Sequence, residues 1–74
     1  MQIKVKLFAT LREGREREQT MELPNDTTPS VIIEKLNIPL EDIAILFING
    51  RDAMFDQKLN DGDTLSIFPP VGGG

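Results

Sequence analysis

Residues 28–37 read Thr28-Pro29-Ser30-Val31-Ile32-Ile33-Glu34-Lys35-Leu36-Asn37, and this stretch decides how the chain folds. A threonine ahead of a proline is a helix start. The hydroxyl can cap free N–H groups, and proline tolerates the first helical position because its missing N–H would have no partner there. Ile32 and Leu36 stand four apart and Ile33 and Leu36 three apart, so they lie on one apolar stripe. Asn37 tolerates the left-handed conformation that closes a helix, and Pro39 prevents continuation. The spacing predicts one helix over about 29–37. A helix this short is marginal in water, so its stripe has to pack on a partner element.

The partner is supplied on both sides. Upstream, Ile3, Val5 and Leu7 alternate with Gln2, Lys4 and Lys6, which predicts a strand over 2–8 with one buried face. Arg12-Glu13-Gly14-Arg15-Glu16 is polar and reads as a loop. Alternation resumes over 17–23, with Met21 and Leu23 inward, so the two strands form an antiparallel hairpin. Pro24-Asn25-Asp26-Thr27-Thr28 separates it from the helix.

Downstream, Ile43-Ala44-Ile45-Leu46-Phe47-Ile48 is a continuous apolar run whose length and β-branched content favour a central strand. Leu46 and Phe47 have opposite parity, so one of them can face outward. Asn49-Gly50 is a tight-turn signal, since both residues tolerate positive φ. A short return strand is expected near Asp52–Met54. An irregular turn follows from Asp56 to Asn60, with Leu59 in the core, and Asp61-Gly62-Asp63 is another turn. Thr64–Phe68 reads as the last strand, with Leu65 and Ile67 inward. Pro69-Pro70 ends it, because neither residue can donate to a ladder.

The order is strand, strand, helix, strand, short strand, strand. A helix joining two parts of one sheet must cross its face. The economical solution is an α+β fold, a mixed sheet of about five strands packed on one short helix, which is the β-grasp architecture. Its expected core is Ile3, Val5, Leu7, Met21, Leu23, Ile32, Ile33, Leu36, Leu59, Leu65 and Ile67. The domain is expected over 1–68, with 69–74 a flexible glycine-rich tail.

Composition narrows what such a domain can do. The 74 residues make one small domain, and the chain has no Cys and no His. There is no thiolate for nucleophilic or metal chemistry, and the usual proton shuttle and commonest metal ligand are missing. The chain therefore reads as not an enzyme on its own, with no metal site and no bound cofactor. A net charge of −4 argues against a nucleic-acid partner, which would need a cationic excess. No apolar run approaches the roughly 20 residues of a membrane helix, and the start lacks the apolar region of a secretory signal, so no membrane partner and a cytoplasmic location are expected. Charge is uneven. Residues 1–20 carry five cations against three glutamates, a balance of +2, and residues 21–74 carry three against nine acids, a balance of −6. This is either an ordinary solvated surface or an acidic face that steers toward a basic partner.

The chain ends Phe68-Pro69-Pro70-Val71-Gly72-Gly73-Gly74. The prolines stiffen the exit from the sheet, and the glycines make a tip whose backbone can enter a channel that any Cβ would block. Seven extended residues reach about 23–25 Å. The arrangement presents a free α-carboxylate on a narrow arm. Terminal glycines alone are often inert, but an apolar, proline-stiffened stem makes a poor flexible linker and a sensible docking segment.

This ending resembles the Phe-Pro-Pro-Val-x-Gly-Gly terminus of the MoaD-like family, the small subunits of molybdopterin synthase. Leu7-Phe8-Ala9 with Leu11-Arg12-Glu13, then Asn49-Gly50, then Asp61-Gly62-Asp63 resemble the same family in the same order. More loosely, the sequence is similar to ThiS-type carriers of thiamine synthesis and to ubiquitin-like modifiers, which share a ubiquitin-like β-grasp fold and a Gly-Gly end. The resemblance implies a sulfur carrier for molybdenum or tungsten cofactor synthesis. An E1-like adenylating enzyme of the MoaB/MoeB/ThiF type would consume ATP to activate the carboxylate of Gly74. Sulfur transfer would make a thiocarboxylate, and a MoaE-like large catalytic subunit would pass the sulfur to a pterin precursor. The alternative is a ThiS-type carrier or a protein modifier. The carrier residues are then Gly73 and Gly74, and the partner-binding residues Phe8, Phe68, Pro69, Pro70, Val71 and Gly72. Phe68 has outward parity and either anchors an interface or covers the edge of the core. Arg12 serves either its own loop or a partner.

Overall fold

The computed structural model describes residues 1–70. The strands are β1 (Gln2–Leu7), β2 (Glu18–Glu22), β3 (Ile45–Ile48), β4 (Arg51–Asp52) and β5 (Thr64–Phe68), and the helix is α1 (Pro29–Lys35). They form one mixed sheet in the order β2-β1-β5-β3-β4. The central pair β1 and β5 is parallel, with Val5 opposite Leu65 and Leu7 opposite Ile67. The remaining pairs are antiparallel, and Leu46 and Ile48 of β3 stand opposite Ile67 and Leu65. The inward parity of β1, β3 and β5 is aliphatic, and α1 lies over it through Ile32 and Ile33. This is the ubiquitin-like β-grasp arrangement.

The core holds Ile3, Val5, Leu7, Leu23, Ile32, Ile33, Leu59, Leu65 and Ile67 as the patterning implies, while Met21 and Leu36 are only partly buried against it. It also takes in Leu11, Ile38, Ile43, Leu46 and Ile48. Leu11 sits in a 3₁₀ turn over Ala9–Arg12, within a segment that has no periodicity to reveal it.

The helix departs from expectation at both ends. Thr28 makes no capping bond; its hydroxyl pairs with that of Ser30 at 2.9 Å. The Ser30 N–H instead donates to the Phe55 carbonyl at 3.0 Å, so the loop before Leu59 caps the helix by main chain. At the other end α1 stops at Lys35 rather than Asn37. The Ile38 N–H donates to the Ile33 carbonyl and the Asn37 N–H to that of Glu34, with Asn37 at φ 57°. That is a Schellman closure, and its usual apolar contact is the buried pair Ile33 and Ile38. Arg15, in a segment that reads as plain loop, donates from Nε to the Leu36 carbonyl and from Nη2 to that of Asn37. A cation at a helix C-terminus also complements the helix dipole.

Strand ends shift as well. β1 and β2 are each shorter than the alternation suggests, and of the run 43–48 only Ile45–Ile48 is strand. The return strand begins at Arg51 rather than Asp52, because the two-residue turn at Asn49 (φ 54°) and Gly50 (φ 82°) pairs Ile48 directly with Arg51. Among the described residues no helix is long and apolar enough to cross a membrane.

Candidate docking face and carboxyl-terminal stem

The even-numbered residues of β1 and β5 face away from α1. Their order across the sheet follows from the register: Lys6 stands opposite Ser66, Phe47 opposite Ser66 from the other side, and Ile45 opposite Phe68. Phe8 continues the parity of β1, and its N–H still donates to the Ile67 carbonyl at 3.2 Å. At the end of the sheet where the chain leaves β5, three rings therefore gather on one outward surface. Phe8 and Phe68 stack with centroids 4.2 Å apart and planes 9° from parallel. Phe47 meets Phe68 edge-on at 5.4 Å and 72°. Offset or edge-on aromatic pairs are worth about 0.5–1.5 kcal/mol beyond the area they bury.

The rings are half-buried against one another, and no element among the described residues covers them. Beside them opens a concavity of ≈ 600 Å³ lined by Phe8, Ala9, Thr10, Asp42, Ile45, Phe68, Pro69 and Pro70. Its wall is the aromatic stack plus the prolines of the stem, and among the described residues Asp42 is the one carboxylate that lines it. Ile45 is 43% exposed and extends the apolar surface of this face.

The structure thus brings Phe8, Phe68, Pro69 and Pro70 together, as the sequence grouped them. The parity left open at Leu46 and Phe47 resolves with Leu46 buried in the core and Phe47 outward against Phe68. Phe68 lies on the outer surface, stacked rather than inserted. Val71, Gly72, Gly73 and Gly74 lie outside the described residues. Ile45, Ala9, Thr10 and Asp42 were missed. Strand parity with Phe47 is the signal that could have found Ile45; the other three are brought in by loops that leave no pattern.

Two further stretches that carried the family resemblance prove to be parts of one construction. The Asn49 side chain donates from Nδ2 to Asp63 Oδ1 at 2.8 Å and accepts at Oδ1 from the Thr64 N–H at 2.9 Å. Asp63 Oδ2 accepts from the Asn60 N–H at 2.8 Å. The Asn-Gly turn and the Asp-Gly-Asp turn are therefore stitched together at the end of the sheet remote from the stem.

The model of the ThiS family matches residues 5–74. The chain belongs to the ThiS family. No curated protein matches it. Among solved structures it is similar to a Pyrococcus furiosus protein described as molybdopterin converting factor subunit 1, at 31% identity over 96% of this chain and 99% of that one, with a TM-score of 0.77. It is similar to SAMP1 from Haloferax volcanii at 27% identity over 100% of both chains, with a TM-score of 0.78. It also shares the fold of a structure described as the complex of subunits 1 and 2 of molybdopterin-converting factor from Helicobacter pylori, at 23% identity over 100% of both chains, TM-score 0.69. This ThiS-family domain has the fold common to small sulfur carriers and ubiquitin-like modifiers.

Proposed function

We propose that this ThiS-family domain is a sulfur carrier, the small subunit of a molybdopterin synthase, that presents its terminal glycine as a thiocarboxylate. The observation that carries the reading is the uncovered Phe8–Phe68–Phe47 surface continuous with Pro69 and Pro70 at the root of the glycine tail. A surface that is apolar, ring-rich and unsealed by any element among the described residues is where a partner gains most from burial. Its place at the chain exit means that a partner gripping the face receives the tail in a fixed direction. The similarity to the Pyrococcus furiosus converting-factor subunit supports the pathway, and the Helicobacter pylori complex supports a large-subunit partner of the MoaE-like kind.

The chemistry follows from what the tail offers. A carboxylate is a poor acyl electrophile. In the activating enzyme an oxygen of the Gly74 carboxylate attacks the α-phosphorus of ATP and displaces pyrophosphate. A sulfide-level donor then attacks the acyl carbon, and AMP leaves with the electron pair of the broken C–O bond. The product is the thiocarboxylate. Gly73 and Gly74 give the backbone access to a narrow channel. Catalytic groups are supplied by the partners, and the chain contributes the carboxylate, the reach and the grip. The location in which this takes place is the cytoplasm.

Similarity to SAMP1 favours a second reading, a modifier whose activated Gly74 is joined to lysines of other proteins. Both readings share the adenylation step and divide after it. With ATP, an activating enzyme and a sulfur donor, intact-protein mass spectrometry is expected to show one oxygen exchanged for sulfur at the C-terminus. Reconstitution with the large subunit is then expected to convert a pterin precursor. An adenylate that yields only isopeptide conjugates in extract would transfer the assignment to the modifier class.

A further inference from the structure

A second, smaller hollow lies just around the edge from the aromatic face, and the carrier chemistry makes no use of it. It is lined by Lys6, Leu7, Phe8, Arg12, Arg17 and Glu18. Both main-chain polar groups of Leu7 set its geometry. The Leu7 N–H donates to the Arg17 carbonyl at 2.9 Å, and the Leu7 carbonyl accepts from Arg12 Nε at 2.8 Å. The end of β1 thereby holds the Arg12 side chain and the Arg17 main chain, and both residues line the hollow with Lys6.

Arg12 is fixed twice over. Its Nε is committed to Leu7, and its Cζ lies 5.4 Å from the Phe8 ring centroid. Its two terminal nitrogens make no hydrogen bond or ion pair among the described residues, so a pre-oriented donor fork is left end-on to solvent. Among the described residues the one carboxylate of the hollow is Glu18, which pairs with Lys4 at 3.8 Å and stands opposite Lys6 in the register. The local balance is strongly cationic on a chain whose net charge is −4. This is where the basic excess of residues 1–20 is spent.

We infer that the hollow formed by Lys6, Arg12 and Arg17 is a receptor for an Asp or Glu side chain of a protein partner that grips the neighbouring aromatic face. Charge complementarity selects an anion, and the planar arginine fork matches a carboxylate. Size selects a side chain. The hollow measures ≈ 180 Å³, below the roughly 300–1,000 Å³ typical of small-molecule sites such as nucleotides occupy. Residues 21–74 carry three cations against nine acids, so an acidic partner surface is drawn toward this hollow and the hollow biases the orientation in which the partner lands. The inference goes beyond the carrier reading and does not involve Gly74.

The test is a nuclear magnetic resonance titration of the ¹⁵N-labelled full chain with a tetraglutamate peptide blocked at both ends. Saturable shifts are expected at the Arg12 side-chain Nε–H and at the amides of Lys6, Phe8 and Arg17. Affinity is expected to fall about tenfold in Arg12→Gln/Arg17→Gln and about threefold in Arg17→Gln alone, as for the loss of charge-assisted hydrogen bonds. Arg17 is exposed, so the single variant keeps the fold, which the same spectrum verifies. Arg51→Gln, in a separate polar hollow, is expected to change nothing. Raising salt from about 0.1 M to about 1 M shortens the Debye length from about 10 Å to about 3 Å and is expected to weaken binding. Absence of saturable shifts overturns the inference, as do shifts spread over every cation with equal loss in Arg51→Gln. Displacement of the peptide by lower concentrations of ATP or inorganic phosphate overturns it in favour of a phosphate site. No adenylation step enters the measurement, so failure here and failure of sulfur loading are read separately.

Discussion

The two faces of the sheet are built from the same strands and differ in chemistry by one residue of parity. Toward α1 stand Ile3, Val5, Leu7, Leu46, Leu65 and Ile67, aliphatic and at most 4% exposed. Away from it, at the exit end, stand Phe8, Phe47, Phe68 and Ile45, half-buried or exposed and covered by nothing among the described residues. Branched aliphatics interdigitate into a sealed core, where each side chain is worth about 1.5–3 kcal/mol by burial. Flat rings that stack on one another keep a broad apolar surface at low entropy cost and leave it ready for an outside partner. One face is apolar to hold the domain together. The other is apolar at the place where the proposed partner would dock.

The sharpest break between folding and function lies beyond both faces. Deleting Gly73 and Gly74 is expected to abolish sulfur loading while leaving the unfolding midpoint within experimental scatter, since no core residue is touched. Mass spectrometry and a denaturant melt on the same sample check it; loading that persists would remove the terminal carboxylate from the scheme.

Next comes the inner face. Ile67 has no exposed surface and stands opposite both Leu7 and Leu46, so Ile67→Ala opens a cavity at the crossing of three strands. A loss of about 2–5 kcal/mol is expected in urea unfolding, with any effect on partner affinity no larger than the unfolded fraction accounts for. Phe68→Ala, one residue on, is expected to do the reverse. Stability falls by about 1 kcal/mol through the lost ring pairs, while affinity for the large subunit falls by about 2 kcal/mol or more. Calorimetric binding set beside the melt decides. A stability loss as large as that of Ile67→Ala, with unchanged affinity, would make Phe68 a core residue and erase the distinction between the faces.

Much of this contrast was legible in the sequence because strand parity is strict. Alternation in β1 and β5 assigned Leu7 and Ile67 inward and left Phe8 and Phe68 outward. The run Ile43–Ile48 hid the same contrast, since every residue in it is apolar and only the register against β5 separates Leu46 from Phe47. Loop contributions were illegible for a different reason. Leu11 and Asp42 reach the core and the concavity through 3₁₀ turns, where no period of two or 3.6 exists to be read. The helix cap misled because a Thr-Pro start is a local signal, whereas the Phe55 carbonyl that satisfies Ser30 arrives from a loop more than twenty residues later. The carrier role proposed for Gly73 and Gly74 rests on residue type alone, because both lie outside the described residues.

The smallest expected effect concerns the end of the sheet remote from the tail. Asn49 holds φ 54° and joins the two turns through Asp63 and the Thr64 N–H. Two contributions are therefore superposed in Asn49→Ala: strain of a left-handed backbone, about 1 kcal/mol, and exposed hydrogen bonds worth about 0.5–1.5 kcal/mol each. Asn49→Gly separates them, because glycine relieves the backbone strain and removes only the side-chain bonds. The expected order of stability is wild type, then Asn49→Gly, then Asn49→Ala, with both variants loading sulfur and binding the large subunit at wild-type levels. Equal stability of Asn49→Gly and wild type would show that the bridge between the turns contributes no more than the backbone strain that glycine relieves. Lost partner affinity in either variant would extend the docking face across the whole length of the outer sheet and end its confinement to the aromatic end.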